Sequence, residues 1–411
     1  MEHTAYRLNH ENCTDESKIG EIHVALKKHA HDLINTRLLE SKETIKRKKV
    51  ISDLKRKENL VLSRPDKGNG TVIMTKSQYL ERVNAILCDN AKFKKLDIEI
   101  DWNDHPGQKR VTDILQKLVK EKQLPQDIMD KVPKGCVIPR LPKVHKSNYP
   151  LRPVLSMTNS AYHSVAKFLD IEILKPLVVE TKLFSIKDSF EFKDAITNIQ
   201  LHDEEVCLSF DVRNLFTCIP VDQTIDLICD KLYRSDRSPP KLSECVLTES
   251  NCRSLLKILT KEIHFVFDGI VYQQSDGLAM GSPLSGSFSE LFMNSLEEQM
   301  TSTLQSLSYY GRFADDTFLV ARNEDMGNYL FRMFNNLHPS IKFTRENADH
   351  FLDIQLHRDE TGNITSSVFR KETFTSLYKK FNSFSPRRFK SNPRINIILQ
   401  SLAPEFSSTS S

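Results

Sequence analysis

The stretch SFDVRNLFTCIP, residues 209–220, read together with RFADD, residues 312–316, decides how this chain is organised. Leading into the first, residues 205–212 alternate. Val206, Leu208, Phe210 and Val212 fall on one face of an extended segment and Cys207, Ser209 and Asp211 on the other, since successive side chains of a strand point to opposite sides. Asp211 is therefore predicted to close a strand on the side away from its apolar residues. Around Phe313-Ala314-Asp315-Asp316, apolar and aromatic residues lie on both sides, which predicts a β-hairpin with its acidic pair at the bend. If the two strands share a sheet, Asp211 meets a pair lying about a hundred residues further on. Carboxylates on adjacent strands are hard oxygen donors of the kind that hold two divalent ions, one to activate an attacking 3′-hydroxyl and one to neutralise a leaving pyrophosphate. Each taken singly is also what an ordinary solvated turn residue looks like, so the surroundings decide.

The interval between them is informative. QSDGLAMGSPLSG, 274–286, holds glycines that permit close backbone approach, and Ser282-Pro283 supplies an N-cap and a proline at the first helical position. Leu284, Phe288, Leu291, Phe292, Leu296, Met300 and Leu304 then recur at helical spacing, predicting a helix over 284–304. Upstream, VPKGCVIPRLPKVHKSNYPLRPVLS, 132–156, is rich in Pro and Lys and predicts a basic hairpin, because proline excludes helix interiors. With these segments in place, SFDVRNLFTCIP resembles motif A of reverse transcriptases, QSDGLAMGSPLSG motif B and RFADD motif C, in the family's order and spacing. LPKVHK with LRPVLS, 141–156, is similar to the fingers motif, and HPSIKFTRE with FLDIQL, 338–356, to motifs D and E. RPDKG at 64–68, AMGSPLSG and VFRKETFT point to the Penelope-like retroelement group, relatives of telomerase; the resemblance spans roughly residues 60–390.

The resemblance implies an α+β right-hand polymerase fold: a palm of small antiparallel sheet and helices, fingers, and a truncated thumb. Expected boundaries are a basic helical extension over 1–60, fingers over 61–200 including the hairpin 132–156, a palm over 201–356 with an insert at about 230–265, and the start of the thumb at 357–411. It implies Asp211, Asp315 and Asp316 as the catalytic, metal-binding centre for two Mg2+ ions, with Mn2+ as the alternative ion. Asp316 ranks below the other two as a ligand, because neighbours on a strand point oppositely. Phe216 is implied as a steric gate whose ring leaves no room for a 2′-hydroxyl, and Lys143 and Arg152 as the grip on the incoming triphosphate. Gln274 would position the template or incoming base, while Gly277, Met280, Gly281 and Ser282 approach the nascent pair. The backbone of Val212 would face the second ion or the triphosphate, Lys67 template or triphosphate, and Lys342 would protonate pyrophosphate. RNA template, DNA primer and dNTPs are the implied partners. The end at Ser411 leads to the expectation of an incomplete thumb and of no following nuclease.

Composition sets bounds on all this. A chain of 411 residues predicts two or three subdomains, and 27% charged residues with no long apolar run argue against a membrane span. The N-terminus lacks a basic and then apolar leader, so a nuclear or cytoplasmic setting is expected. Eight cysteines without CxxC pairing read as free thiols, mostly buried. A net charge of +4 alone names no partner, but basic blocks at 46–57 and 370–390, the latter interleaved with Phe374, Tyr378, Phe381, Phe384 and Phe389, suit a phosphate backbone as well as a solvated face. Two rivals stand beside the polymerase: a catalytically inactive polymerase-derived nucleic-acid-binding protein, and a two-metal nuclease using the same carboxylates. Phe216, Lys143 and Arg152 count against the nuclease, which has no dNTP to select.

Overall fold

Alternation over 206–212 produces the strand it predicts, β1 (Val206–Val212). In this computed structural model, which describes residues 42–63, 72–97, 106–131, 155, 157, 160–233, 241–242 and 245–370, β1 is an interior strand of a four-stranded antiparallel sheet. Its partners are β2 (Tyr309–Phe313), β3 (Asp316–Ala321) and β4 (Phe343–Glu346), in the order β4-β1-β3-β2. The register sets Asp316 opposite Asp211, Phe318 opposite Ser209 and Val320 opposite Cys207.

Both faces of this sheet are covered. On one, Leu208, Phe210 and Val212 pack under α3 (Glu324–Asn336), with the Phe210 ring centroid 5.3 Å from that of Phe331 and 5.7 Å from that of Phe334. On the other, Phe318 and Val320 join Phe192 and Ile196 of α1 (Ser189–Ile196). Phe351, Ile354 and Ile364 complete that layer from β5 (His350–Phe351), β6 (Ile354–Arg358) and β7 (Ile364–Val368), which form a small antiparallel sheet of their own. The sequence expectation that Asp211 turns away from the apolar side needs refining on this point. Its face is apolar too, and the carboxylate stays accessible because Asp211 lies beyond the end of the Phe192–Phe318–Phe351 cluster.

Behind the sheet runs α2 (Leu284–Gln299), most of whose residues are buried, Ser285, Ser287, Ser289, Asn294 and Glu297 among them as well as the Leu, Phe and Met positions. It is shorter than its periodicity predicts. The helix stops at Met300, where φ is −110° and ψ 9°, and a separate turn covers Thr301–Gln305. Pro283 stands just before the first helical residue, one place earlier than expected, and Ser282 Oγ accepts from the Leu284 N–H at 3.4 Å. A second three-stranded antiparallel sheet is built from Phe93–Leu96, Ile263–Phe267 and Ile270–Gln274.

The chain divides into two compact units, residues 1–62 with 73–76, and residues 63–72 with 77–411. The described part of the first contains the helix Lys42–Lys55, along which Lys46, Lys48 and Lys49 are exposed. The mixed α+β expectation holds. The basic hairpin, apart from Leu155, and everything after Arg370 lie outside the described residues, as does Lys67. Five cysteines are seen as free thiols, of which only Cys229 and Cys252 are buried, so the expectation of mostly buried thiols does not hold among the described residues. No described helix is long and apolar enough to cross a membrane.

Candidate active site

Phe313 pairs with Asp316 across the β2–β3 hairpin, which leaves Ala314 and Asp315 as a two-residue turn. A two-residue hairpin turn needs positive φ, and Ala314 supplies it at 54°. Asp315 thus lies in a turn and escapes the strand alternation that had ranked Asp316 below it. The Val212 N–H donates to the Asp315 carbonyl at 3.0 Å, tying the end of β1 to the turn, and Asp316 faces Asp211 in register. The three carboxylates consequently converge: one oxygen from each lies within 4.8 Å of the others, and all three residues are half-buried. They open on a cleft of about 410 Å³ that Phe216, Met280 and His350 also line. Three hard oxygen donors this close fit a divalent cation, which when bound would supply charge neutralisation to reacting phosphate oxygens. Asp211, Asp315 and Asp316 are the residues that would hold it.

The chain leaves β1 through Asn214, in the left-handed region at φ 51°, and enters the short helix Leu215–Cys218. That turn swings Phe216, half-buried, to the cleft. Its backbone is fixed by the glycine-containing loop. The Leu278 N–H donates to the Phe216 carbonyl at 2.7 Å, and Gly277, at φ 71°, sits so close that a Cβ there would lie 2.7 Å from the Thr217 carbonyl oxygen. Met280 reaches the cleft, and its carbonyl accepts from the Leu155 N–H at 2.8 Å. Gly281 is exposed at φ 109°.

Two expected residues are engaged elsewhere. Gln274 is 2% exposed, and its amide N–H donates to the carbonyls of Gly277 (3.0 Å) and Asp276 (3.3 Å). It braces the loop, as a buried carboxamide bonds the nearest carbonyls. Lys342 is exposed, its Nζ donates to the Asn335 carbonyl at 2.8 Å, and it is not among the residues that line the cleft. Lys143 and Arg152 lie outside the described residues.

Two further residues escaped the sequence reading. His350 lines the cleft, its Nδ1 2.6 Å from Asp349 Oδ1 and its ring stacked 3.7 Å from that of Phe369. Arg312, inside the RFADD motif itself, is 0% exposed and ion-paired to Glu297 (2.7 Å) and Glu290 (2.9 Å) of α2. Burial works against its charge, but the two glutamates outweigh that and hold the guanidinium above the usual arginine range. Burial likewise pushes Glu290 up, while the charge and hydrogen bonds of Arg312 and the Ser185 hydroxyl bring it net below the usual carboxylate range. Glu290 and Glu297, two turns apart on α2, are the sequence signal that could have announced such a buried cation.

Residues 144–342, which contain the whole acidic centre, match the family of reverse transcriptases (RNA-dependent DNA polymerases). Over those residues, a little under half of the chain, the sequence is similar to a reverse transcriptase domain. Its fold is shared with solved telomerases. The structure of Candida tropicalis telomerase in complex with a TWJ fragment of telomeric RNA superposes with a TM-score of 0.52 at 10% identity, over 83% of this chain and 55% of that one. Apo telomerase of the same organism, truncated from its C-terminal domain, gives 0.50 at 9% identity, over 75% and 63%. At these identities the likeness is one of polymerase fold. The chain spans less than two thirds of either telomerase. No curated protein sequence matches it.

Proposed function

We propose that this chain extends a DNA primer with dNTPs on an RNA template, as the reverse transcriptase of a Penelope-like retroelement. The observation that carries the reading is the convergence of Asp211, Asp315 and Asp316 within 4.8 Å at the mouth of a cleft that Phe216 also lines. Two Mg2+ ions are the cofactors proposed for this centre, with Mn2+ as a substitute; their charge would meet that of the triphosphate. In this reading the three aspartates hold the ions, and Asp315, in the hairpin turn, is the least replaceable. Phe216 lies against the sugar and excludes a 2′-hydroxyl. Lys143 and Arg152 grip the triphosphate, an assignment that rests on their sequence motif. The sheet β4-β1-β3-β2 with its helices acts as palm (201–356), residues 61–200 as fingers, and 357 onward as the start of a thumb. The Penelope-like assignment rests on the RPDKG, AMGSPLSG and VFRKETFT segments.

The test is extension of a labelled DNA primer on an RNA template by the purified chain, with Mg2+ and dNTPs, beside Asp315→Ala. Loss of the group that organises charge in the transition state is expected to cut extension on the order of 10³-fold. Primer–template binding without extension by the wild type would replace this reading with that of an inactive nucleic-acid-binding protein.

A further inference from the structure

A hub of buried charge stands directly behind the acidic turn. The Arg312 guanidinium, 0% exposed, donates through Nε to Glu297 Oε1 at 2.7 Å and through Nη1 to Glu290 Oε2 at 2.9 Å. Its Nη2 donates to Asn294 Oδ1 at 2.6 Å and to Ser185 Oγ at 3.0 Å. Nη1 also donates, at 3.2 Å, to the carbonyl of Ala314, the left-handed residue immediately before Asp315. The main chain of Arg312 is clamped as well, its N–H donating to the Phe184 carbonyl at 3.1 Å and its carbonyl accepting from the Ile186 N–H at 2.7 Å. Tyr310 Oη adds a hydrogen bond to Glu297 Oε1 at 2.8 Å. A planar fork of donors can span several acceptors in fixed geometry, which a lysine point charge cannot.

We propose that Arg312 is a positioning residue for the acidic centre: it locks the Ala314–Asp315 turn to α2, so that Asp315 keeps its spacing to Asp211 and Asp316. The physical need is clear. A left-handed alanine stores strain and persists only where its surroundings over-determine it. Mg2+ tolerates little departure from octahedral geometry. Arg312 touches neither the cleft nor its ligands, so its effect passes through the turn. The kinetic consequences rest on the polymerase reading; the metal-affinity consequence does not.

Two measurements on the full chain test it. The Mg2+-dependent rise in melting temperature, taken without nucleic acid, gives an apparent metal affinity, and primer extension gives kcat and KM. Two variants are compared with wild type: Arg312→Lys, and a triple variant with Arg312→Met, Glu290→Gln and Glu297→Gln. The triple variant removes the buried charges together, so that no uncompensated charge is left in the interior. Both are expected to raise the Mg2+ midpoint by about tenfold and to lower kcat by about 100-fold, the scale of a misplaced reacting group, with dNTP KM changed by no more than about twofold. A wild-type Mg2+ midpoint in the folded triple variant overturns the proposal, whatever Arg312→Lys does. A shifted midpoint in a protein whose wild type does not extend primers would sink the polymerase reading and leave the positioning role standing. An unshifted midpoint with wild-type extension intact would do the reverse.

Discussion

Behind the β2–β3 hairpin, Glu290 and Glu297 surround a guanidinium shut away from water, whereas in front of the same hairpin Asp211, Asp315 and Asp316 stand half-buried at an open cleft. Both clusters crowd carboxylates together. They differ in who completes them. The rear one is closed with groups of the chain itself, so its charges serve rigidity; the front one lines a cleft open to solution. A protein can place acid groups accurately only if the backbone carrying them is fixed from elsewhere, and the pairing of these two clusters across one turn shows that division of labour.

The sharpest way to break this contrast is to make the same truncation on both sides. Glu297→Ala removes the acceptor of Arg312 Nε and Tyr310 Oη in the interior and is expected to cost about 3–5 kcal/mol of unfolding free energy by denaturant titration. Asp315→Ala in front should leave stability within about 0.5 kcal/mol of wild type, as for a surface position. Equal losses at the two sites would show that the front cluster is structural. Next in size, Phe216→Ala tests whether the open side selects its ligand. Discrimination of dCTP against CTP, read from single-nucleotide extension, is expected to fall by about 10²-fold, the limit for a purely apolar wall. Unchanged selectivity would remove Phe216 from that role.

Gly277→Ala follows. At φ 71°, with the Thr217 oxygen 2.7 Å from the new Cβ, the substitution should cost about 1–3 kcal/mol and move the Phe216 turn, so selectivity and stability should decline together. The smallest effect is acid sensitivity. Because the folded state holds Glu290 below the ordinary carboxylate range, its contribution is present above that range and is lost as pH falls through it. Melting temperature should therefore drop more steeply for wild type than for Glu290→Gln between about pH 5 and pH 3. Parallel curves would detach Glu290 from the rear cluster.

Much of the front side was legible in the sequence because it is written in local pattern. Two-residue alternation placed Asp211 at a strand end, flanking apolar runs placed the acidic pair at a bend, and a serine-proline start announced α2. The ranking of Asp316 below Asp315 assumed unbroken strand alternation, which the left-handed turn at Ala314 resets; no propensity of alanine predicts a positive φ. The rear side was not legible. Arg312 meets Glu290 and Glu297 only after α2 has folded back against β2, and Ser185 lies 127 residues away in sequence. Gln274 looks available in sequence beside a glycine loop, whereas its burial and its bonds to the Asp276 and Gly277 carbonyls arise only in the folded chain. The end of α2 at Met300 has no sequence signal, since leucine and methionine continue the helical spacing beyond it.

The register of β1 carries one more consequence, for biogenesis. Its side chains alternate between two buried layers, so a slip of one residue against β3 would push the Asp211 carboxylate among the Phe331 and Phe334 rings and send Phe210 out to the cleft. Such a misthreaded chain would bury an ion and expose an aromatic ring at once, and would be a substrate for chaperones and proteases rather than a slow enzyme. The acidic residue that ends the strand thereby acts as a proofreading mark on assembly. Counting molecules with an intact acidic centre in a refolded sample is then equivalent to counting correctly threaded ones.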